Sequence, residues 1–199
     1  MTPIDLTGIE STYAAAGYGA VLYGLVRVMQ PKVAVELGTY QGYSGLHIAA
    51  GVRENDAATV CLVDLWNKYL HRHCSLDVTR QNFARNGFRS LKGCNVVFCE
   101  EDAVLASCRF ADGSVDFLHV DLANDGRVLA EVFEVWEPRL SSRALVVIEG
   151  GSTERDAVEW MGKYNKEPIG WWLNSPWVLD RFSCLTLEPF PSMTLMRRR

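Results

Sequence analysis

Five short apolar runs recur along this chain, and acidic residues gather where each one ends. They cover 33–37 with Glu36, 59–64 ending on Asp64, 95–99 before Glu100-Glu101-Asp102, 115–120 before Asp121, and 144–148 before Glu149. The run at 59–64 is apolar throughout until its closing acid, as expected of a strand covered on both faces of a parallel sheet. Between the runs, apolar residues recur at helical spacing. Strands alternating with helices indicate a parallel sheet with right-handed crossovers and helices on both faces. In such sheets ligands bind at the carboxyl ends of the strands. The acids therefore converge on the edge where chemistry is expected, a grouping unusual for structure alone.

The intervening segments are read as follows. A first helix covers 12–30, with Tyr18, Val21, Leu22, Leu25 and Met29 at helical spacing and Pro31 as a stop. Helices are also expected over 44–53, over 76–86 with Gly87 as its C-terminal cap, over a short stretch after Asp102, over 125–137 and over 153–165. Two more strands, 178–187 and 192–197, are joined by Glu188-Pro-Phe-Pro191, which is too short for a crossover. An antiparallel hairpin at one edge follows. With 199 residues, 48% of them hydrophobic, the chain suits one domain: an N-terminal helical cap over 1–30, a core over 31–150, and a C-terminal helix, loop and hairpin over 151–199.

The segment Val33-Ala-Val-Glu-Leu-Gly-Thr-Tyr-Gln-Gly-Tyr-Ser44 carries the sharpest motif. It reads as a strand, a tight turn with Gly38 and Gly42, and a helix start. Glycine permits positive φ and close approach of a ligand, and the helix N-terminus beyond can hold an anionic group. A cofactor with a charged amino-acid end and a ribose would suit this turn, and Asp64 at the end of the second strand is placed to take both ribose hydroxyls.

Composition narrows the partners. A net charge of -4 gives no bulk attraction to nucleic acid or anionic membrane. The stretch Tyr13–Met29 contains three glycines and Arg27 and falls short of a membrane span. No signal peptide is expected from the N-terminal residues, which points to a cytoplasmic protein. The six cysteines form no Cys-x-x-Cys pair and are expected to be reduced thiols.

Taken in order, these motifs resemble those of a class I S-adenosylmethionine-dependent methyltransferase over most of residues 30–150. The segment 35–44 is similar to the first motif of small-molecule O-methyltransferases, including the catechol type. Val63-Asp-Leu-Trp66, Gln81-Asn-Phe83, Glu101-Asp-Ala103 and Asp116-Phe-Leu-His-Val-Asp121 resemble the short methyltransferases found beside sugar and antibiotic biosynthesis genes. The resemblance implies a Rossmann-like α/β fold with a mostly parallel seven-stranded sheet and an antiparallel edge hairpin. It also implies S-adenosyl-L-methionine as cofactor. Glu36, Gly38, Thr39, Tyr40 and Gly42 would frame its methionine end, with Ser44 and the turn amides near its carboxylate. Asp64 would bind the ribose, Leu65 and Trp66 would line the adenine, and Asp102 with Glu101 or Ala103 would meet the adenine amino group. Asp121 would lie near the cofactor's amino group or ligate a metal.

Departures from that pattern bear on catalysis. The catechol type carries a lysine three residues after the strand-four aspartate, where this chain has Asn124, so the usual base is missing there. Asp121 and Glu149 fall where catechol-type enzymes hold magnesium, but Gly150 stands in place of an asparagine ligand. A Mg2+ site would rest on Asp121 and Glu149, with Asp125 as a further oxygen ligand. Asp121, Asp125 and Glu149 are the candidate catalytic residues, joined by His71, His73 and His119 as candidate bases; His119 within strand four reads better as a core histidine. Trp171, Trp172 and Trp177 are read either as walls of an acceptor pocket or as core. The first helix would cover the cofactor or form a homodimer face.

The expected reaction is methyl transfer to a small-molecule acceptor, at a hydroxyl oxygen. The alternatives are a cofactor-binding protein without turnover and a methyltransferase acting on nitrogen or a macromolecule. A nucleic-acid methyltransferase is disfavoured because no Asn/Asp-Pro-Pro-aromatic motif follows strand four and no basic stripe is present. Nicotinamide binding would need Gly-x-Gly-x-x-Gly, which the spacing of Gly38 and Gly42 does not give.

Overall fold

The apolar runs are strands: β1 (Val33–Leu37), β2 (Ala58–Asp64), β3 (Cys94–Glu100), β4 (Val115–Val120) and β5 (Leu140–Glu149), followed by β6 (Phe182–Leu187) and β7 (Met193–Arg198). The computed structural model describes residues 4–53, 58–68, 74–88, 94–123, 125–188 and 190–199. The seven strands form one sheet in the order β3-β2-β1-β4-β5-β7-β6. β1 to β5 pair in parallel, while β7 runs antiparallel to both β5 and β6. The sheet is thus mostly parallel with an antiparallel edge pair, as the sequence pattern implied.

Two helical layers cover it. The helices are α1 (Tyr18–Met29), α2 (Tyr43–Val52), α3 (Leu76–Arg85), α4 (Ala103–Ala106), α5 (Gly126–Trp136), α6 (Thr153–Asp156), α7 (Glu159–Lys163), α8 (Ile169–Leu173) and α9 (Pro176–Arg181). Because side chains alternate along a strand, Val35 and Leu37 of β1 join one core with Val132, Phe133 and Trp136 of α5. Ala34 joins the other, with Leu22 and Val26 of α1 and Leu46 and Ile48 of α2. Among the described residues, no helix is long and apolar enough to cross a membrane, and the six cysteines form no disulfide.

Three sequence expectations need correction. Residues 12–17 are turns rather than helix: Gly17 adopts a left-handed φ of 70° and α1 starts only after it. The helix expected over 153–165 is broken into α6 and α7. Val158 leaves the helical region for an extended conformation, and the Asp156 carboxylate turns to accept the amides of Ile169 and Gly170 at 2.9 and 2.7 Å. Residues 178–181 belong to α9 rather than to a strand. Ser175 caps that helix and Pro176 occupies its first turn, the preferred chemistry of a helix start.

The β1–α2 turn demands a glycine for two separate reasons. Gly38 has φ +86°, and a Cβ there would lie 2.0 Å from the carbonyl oxygen of Asp121. Gly113 has a similar φ of +67° but nothing within 4 Å of its would-be Cβ. Gly113→Ala should therefore cost about 1 kcal/mol, the left-handed penalty alone. Gly38→Ala should cost about 3 kcal/mol or more, because strand-end backbone must also move. Urea unfolding of the two variants checks this, and equal losses would show that the clash is relieved without cost.

Candidate functional site

The site begins where β1 ends. Gly38, Tyr40 and Gly42 take positive φ in turn (86°, 50° and 93°), which curls the backbone and points successive amides the same way. The amides of Thr39 and Tyr40 both donate to Oδ2 of Asp64 at 2.7 Å, and the amide of Trp66 donates to Oδ1 at 2.7 Å. A carboxylate has roughly four acceptor positions, so Asp64 keeps about one for anything else. These charge-assisted bonds lock the end of β2 to the glycine turn. The Trp66 indole N–H adds a bond to the Tyr40 carbonyl at 3.1 Å.

Beside this turn lies a cavity of about 550 Å³ along the carboxyl edge of the sheet. Gly38, Thr39, Tyr40 and Ser44 line it from the turn, and Asp64, Leu65 and Trp66 line it from the end of β2. Asp102 and Ala103 close the far side; Asp102 is also the N-cap of α4, accepting from the amides of Val104 and Leu105. Thr39 is 3% exposed, and its hydroxyl oxygen has no hydrogen-bond partner among the described residues. An unpaired buried hydroxyl costs free energy that a ligand's polar group can recover.

At the other end of the cavity stand Asp121 and Glu149, at the ends of β4 and β5. Glu149 is buried, and its two oxygens accept from Nε and Nη2 of Arg155 at 3.1 and 3.4 Å. Burial raises the Glu149 carboxyl, against the pull of Arg155. No side-chain partner meets the Asp121 carboxyl among the described residues. Burial pushes it up to about 7, the nearby Glu149 and Glu36 charges add to the rise, and His119 and Arg155 oppose it.

Three residues implied by the sequence do not line the cavity. Glu36 lies on the opposite face of the strand, with its carboxylate against α2, fully buried. Its Oε1 is 2.9 Å from Nδ1 of His119 on the adjacent strand, and Nε2 of His119 is 3.4 Å from the Tyr13 hydroxyl. The even position of Glu36 in β1 dictates this, since only odd positions face the α5 side. Gly42 is turned toward Phe83, whose ring would lie 2.7 Å from a Cβ there. Asp125 caps α5 through the Arg127 amide and also accepts from the Glu167 amide, at 3.0 and 3.3 Å. His71, His73 and Asn124 lie outside the described residues.

The donor set does not fit magnesium. Glu149 is already held by a guanidinium, Asp125 does not line the cavity and gives its Oδ1 to two backbone amides, and Gly150 offers no side chain. Among the described residues no group of three or more His, Cys, Asp or Glu could hold a metal ion. Magnesium needs several well-placed oxygens, and here Asp121 would stand alone.

Several lining residues escaped the sequence reading. Glu10, Ser11 and Thr12 come from the segment before α1, and Arg155, Trp160, Lys166 and Phe190 come from the segments after β5. None belongs to a motif; the one local hint is Ser152, which caps the turn that carries Arg155. Of the tryptophans singled out by sequence none lines the cavity, and the core reading holds for two: Trp172 is buried against Phe133, with ring centroids 4.6 Å apart, Trp177 packs against the same core, and Trp171 is 57% exposed.

A model of the methyltransferase domain family matches residues 35–149. An uncharacterized protein, y4gI, from Sinorhizobium fredii is 32% identical over 127 residues, which is 62% of this chain and only 13% of that protein. Among solved structures, the O-methyltransferase from Bacillus cereus in complex with SAH superposes with a TM-score of 0.69 at 16% identity, covering 97% of this chain and 86% of the other. The O-methyltransferase TomG from Streptomyces achromogenes, involved in tomaymycin synthesis and solved with SAM, gives 0.63 at 17% identity, over 92% and 80% of the two chains. At these identities the likeness to solved structures is one of fold.

The raised carboxyl of Asp121 makes a signed prediction. Its folded value of about 7 lies above the unfolded carboxylate range, so the folded state holds the proton more tightly between about pH 4 and pH 7. Stability on this account is full below pH 4 and is lost as pH rises toward 7. Asp121→Asn should leave stability at pH 4 unchanged and raise it at pH 8 by about 1 kcal/mol, a few degrees in Tm. Thermal unfolding at the two pH values measures this; an equal change at both would show that Asp121 is not the strained group.

Proposed function

We infer that this chain, which belongs to the methyltransferase domain family, transfers the methyl group of S-adenosyl-L-methionine to a hydroxyl oxygen of a small-molecule acceptor. One observation carries the reading. The family match and the ordered acids meet at a single cavity, where an amide-rich glycine turn stands at one end of a row of carboxylates. Bound S-adenosyl-L-methionine would supply an activated methyl group on a sulfonium, chemistry that asks mainly for positioning from the protein.

The chain's own residues suit each part of that cofactor. Asp121 offers a carboxyl without a committed partner to an ammonium. Ser44 and the unpaired hydroxyl of Thr39 suit a carboxylate. Asp64, with about one acceptor position left, suits a ribose hydroxyl, while its other bonds hold the turn. Asp102 and Ala103, with Leu65 and Trp66, suit a planar base. A hydroxyl acceptor needs a group to receive its proton. Of the three acids singled out by the sequence, Asp121 is the candidate base, since Glu149 is tied to Arg155 and Asp125 does not line the cavity. This reading takes the reaction as independent of magnesium, in line with the donor set.

Thermal shift assays should show stabilisation by S-adenosylmethionine and S-adenosylhomocysteine and none by NAD; no response to either of the first two would sink the reading. Asp64→Ala should weaken S-adenosylmethionine binding by about tenfold or more, equivalent to one lost charge-assisted contact, and should also lower Tm. Calorimetric titration measures it, and unchanged affinity would rule out the ribose role. Since a cationic ligand favours ionised Asp121, affinity should rise as pH goes from 6 to 7 and level off above, by at most about tenfold per unit. Asp121→Asn should flatten that profile.

A further inference from the structure

Beside Asp121 and Glu149 the cavity is also lined by Arg155, Trp160, Lys166 and Phe190, and the cofactor reading uses none of these four side chains. Arg155 is 6% exposed. Its Nε and Nη2 are spent on Glu149, while Nη1 is buried without a hydrogen-bond partner among the described residues. A buried charged donor left unpaired is costly, and a ligand oxygen there recovers the cost. The Trp160 ring lies 4.4 Å from the Arg155 guanidinium and 5.2 Å from Nζ of Lys166, so it sits near both cations. Phe190 adds a second ring, 5.8 Å from the guanidinium. All four side chains line the cavity.

The two cations at this end are held differently. Glu149 neutralises Arg155, but Lys166 donates to the Ala123 carbonyl rather than to a carboxylate. Asp125, the acid that acts on Lys166 most strongly, is held by backbone amides. Burial holds the Lys166 amine below the ordinary lysine range, and the Arg155 charge adds to that effect. The Lys166 amine, with no carboxylate hydrogen-bonded to it among the described residues, and the unpaired Nη1 of Arg155 thus stand beside two aromatic rings.

We propose that the Arg155–Lys166 end of the cavity is an acceptor subsite for a carboxylate, so that the methyl acceptor is a planar hydroxylated compound bearing one carboxylate group. The proposal rests on the methyl-transfer reading above. The unpaired Nη1 of Arg155 and the Lys166 ammonium are two donors without a carboxylate of their own among the described residues, and one ligand carboxylate supplies two acceptors. A guanidinium nitrogen together with an ammonium can meet its two oxygens, and Trp160 and Phe190 offer flat faces to a ring.

The test titrates the whole protein, saturated with S-adenosylhomocysteine, with 4-hydroxybenzoate and 4-hydroxycinnamate, each compared with its methyl ester. In at least one pair the acid should bind tighter than its ester by about tenfold or more. Arg155→Gln and Lys166→Gln should each remove most of that preference. Equal or absent binding of acid and ester in both pairs would overturn the proposal, as would a preference that survives both substitutions. Arg155→Gln strands the Glu149 carboxylate. If it fails to fold, Lys166→Gln, which breaks no ion pair among the described residues, decides alone. Binding of S-adenosylhomocysteine by the wild type is read first. Its absence would count against the methyl-transfer reading, and the acid–ester comparison without it would then judge the subsite separately.

Discussion

The carboxyl edge of this sheet is organised by one close contact, the packing of Gly38 against the main-chain carbonyl of Asp121. The Gly38 amide donates to the Val63 carbonyl at 2.9 Å and the Asp121 amide to the Leu37 carbonyl at 2.8 Å, which draws the ends of β1, β2 and β4 together. Any side chain at 38 would meet the Asp121 carbonyl oxygen. With that approach made, the amides of Thr39 and Tyr40 can reach Asp64, and the turn becomes the floor of the cavity. Fold and site share this constraint, because the backbone geometry that closes the β1–α2 turn also aims its donors.

Buried acids are the second organising element, and each is accommodated differently. Glu36 and His119 lie side by side in the β1–β4 register, so the histidine reaches the carboxylate within the sheet's own layer. Glu149 is matched by Arg155 from the segment just after its strand. Asp121, between them, has neither and carries the upward pressure of both neighbours. A buried carboxylate left unmatched is expensive, and the upward shift of Asp121 is the form that cost takes. The same pairing of Glu149 with Arg155 removes an oxygen that magnesium would need. The position that held out a metal in the sequence therefore becomes a cationic wall in the structure.

Much of the architecture was legible in the sequence. The five apolar runs, the glycine turn, the short helix after Asp102 and the edge hairpin follow from local rules of burial, positive φ and chain length. Misreadings clustered where long-range contacts overrode local pattern. Residues 12–17 look helical by spacing, yet Gly17 and the burial of Tyr13 against His119 hold them as turns. The stretch 153–165 looks like one helix, yet Asp156 is drawn to the amides of α8. Glu36 looked like part of the ligand cradle because the turn that follows it lines the cavity; alternation along the strand sends its side chain to the other face.

The sequence by itself determined the strand-and-helix alternation, the glycine turn and the set of acids at strand ends, because each depends on residues adjacent in the chain. It also carried enough ordered motif to point to a methyltransferase domain. Only the tertiary structure decided which acids face the cavity and which are neutralised. That depends on the face each strand position presents and on partners such as His119, Arg155 and Lys166, far apart in sequence from the residues or cavity they complete or joined to them only through loops. Loop side chains follow no period, so their meeting place is set by packing rather than by pattern.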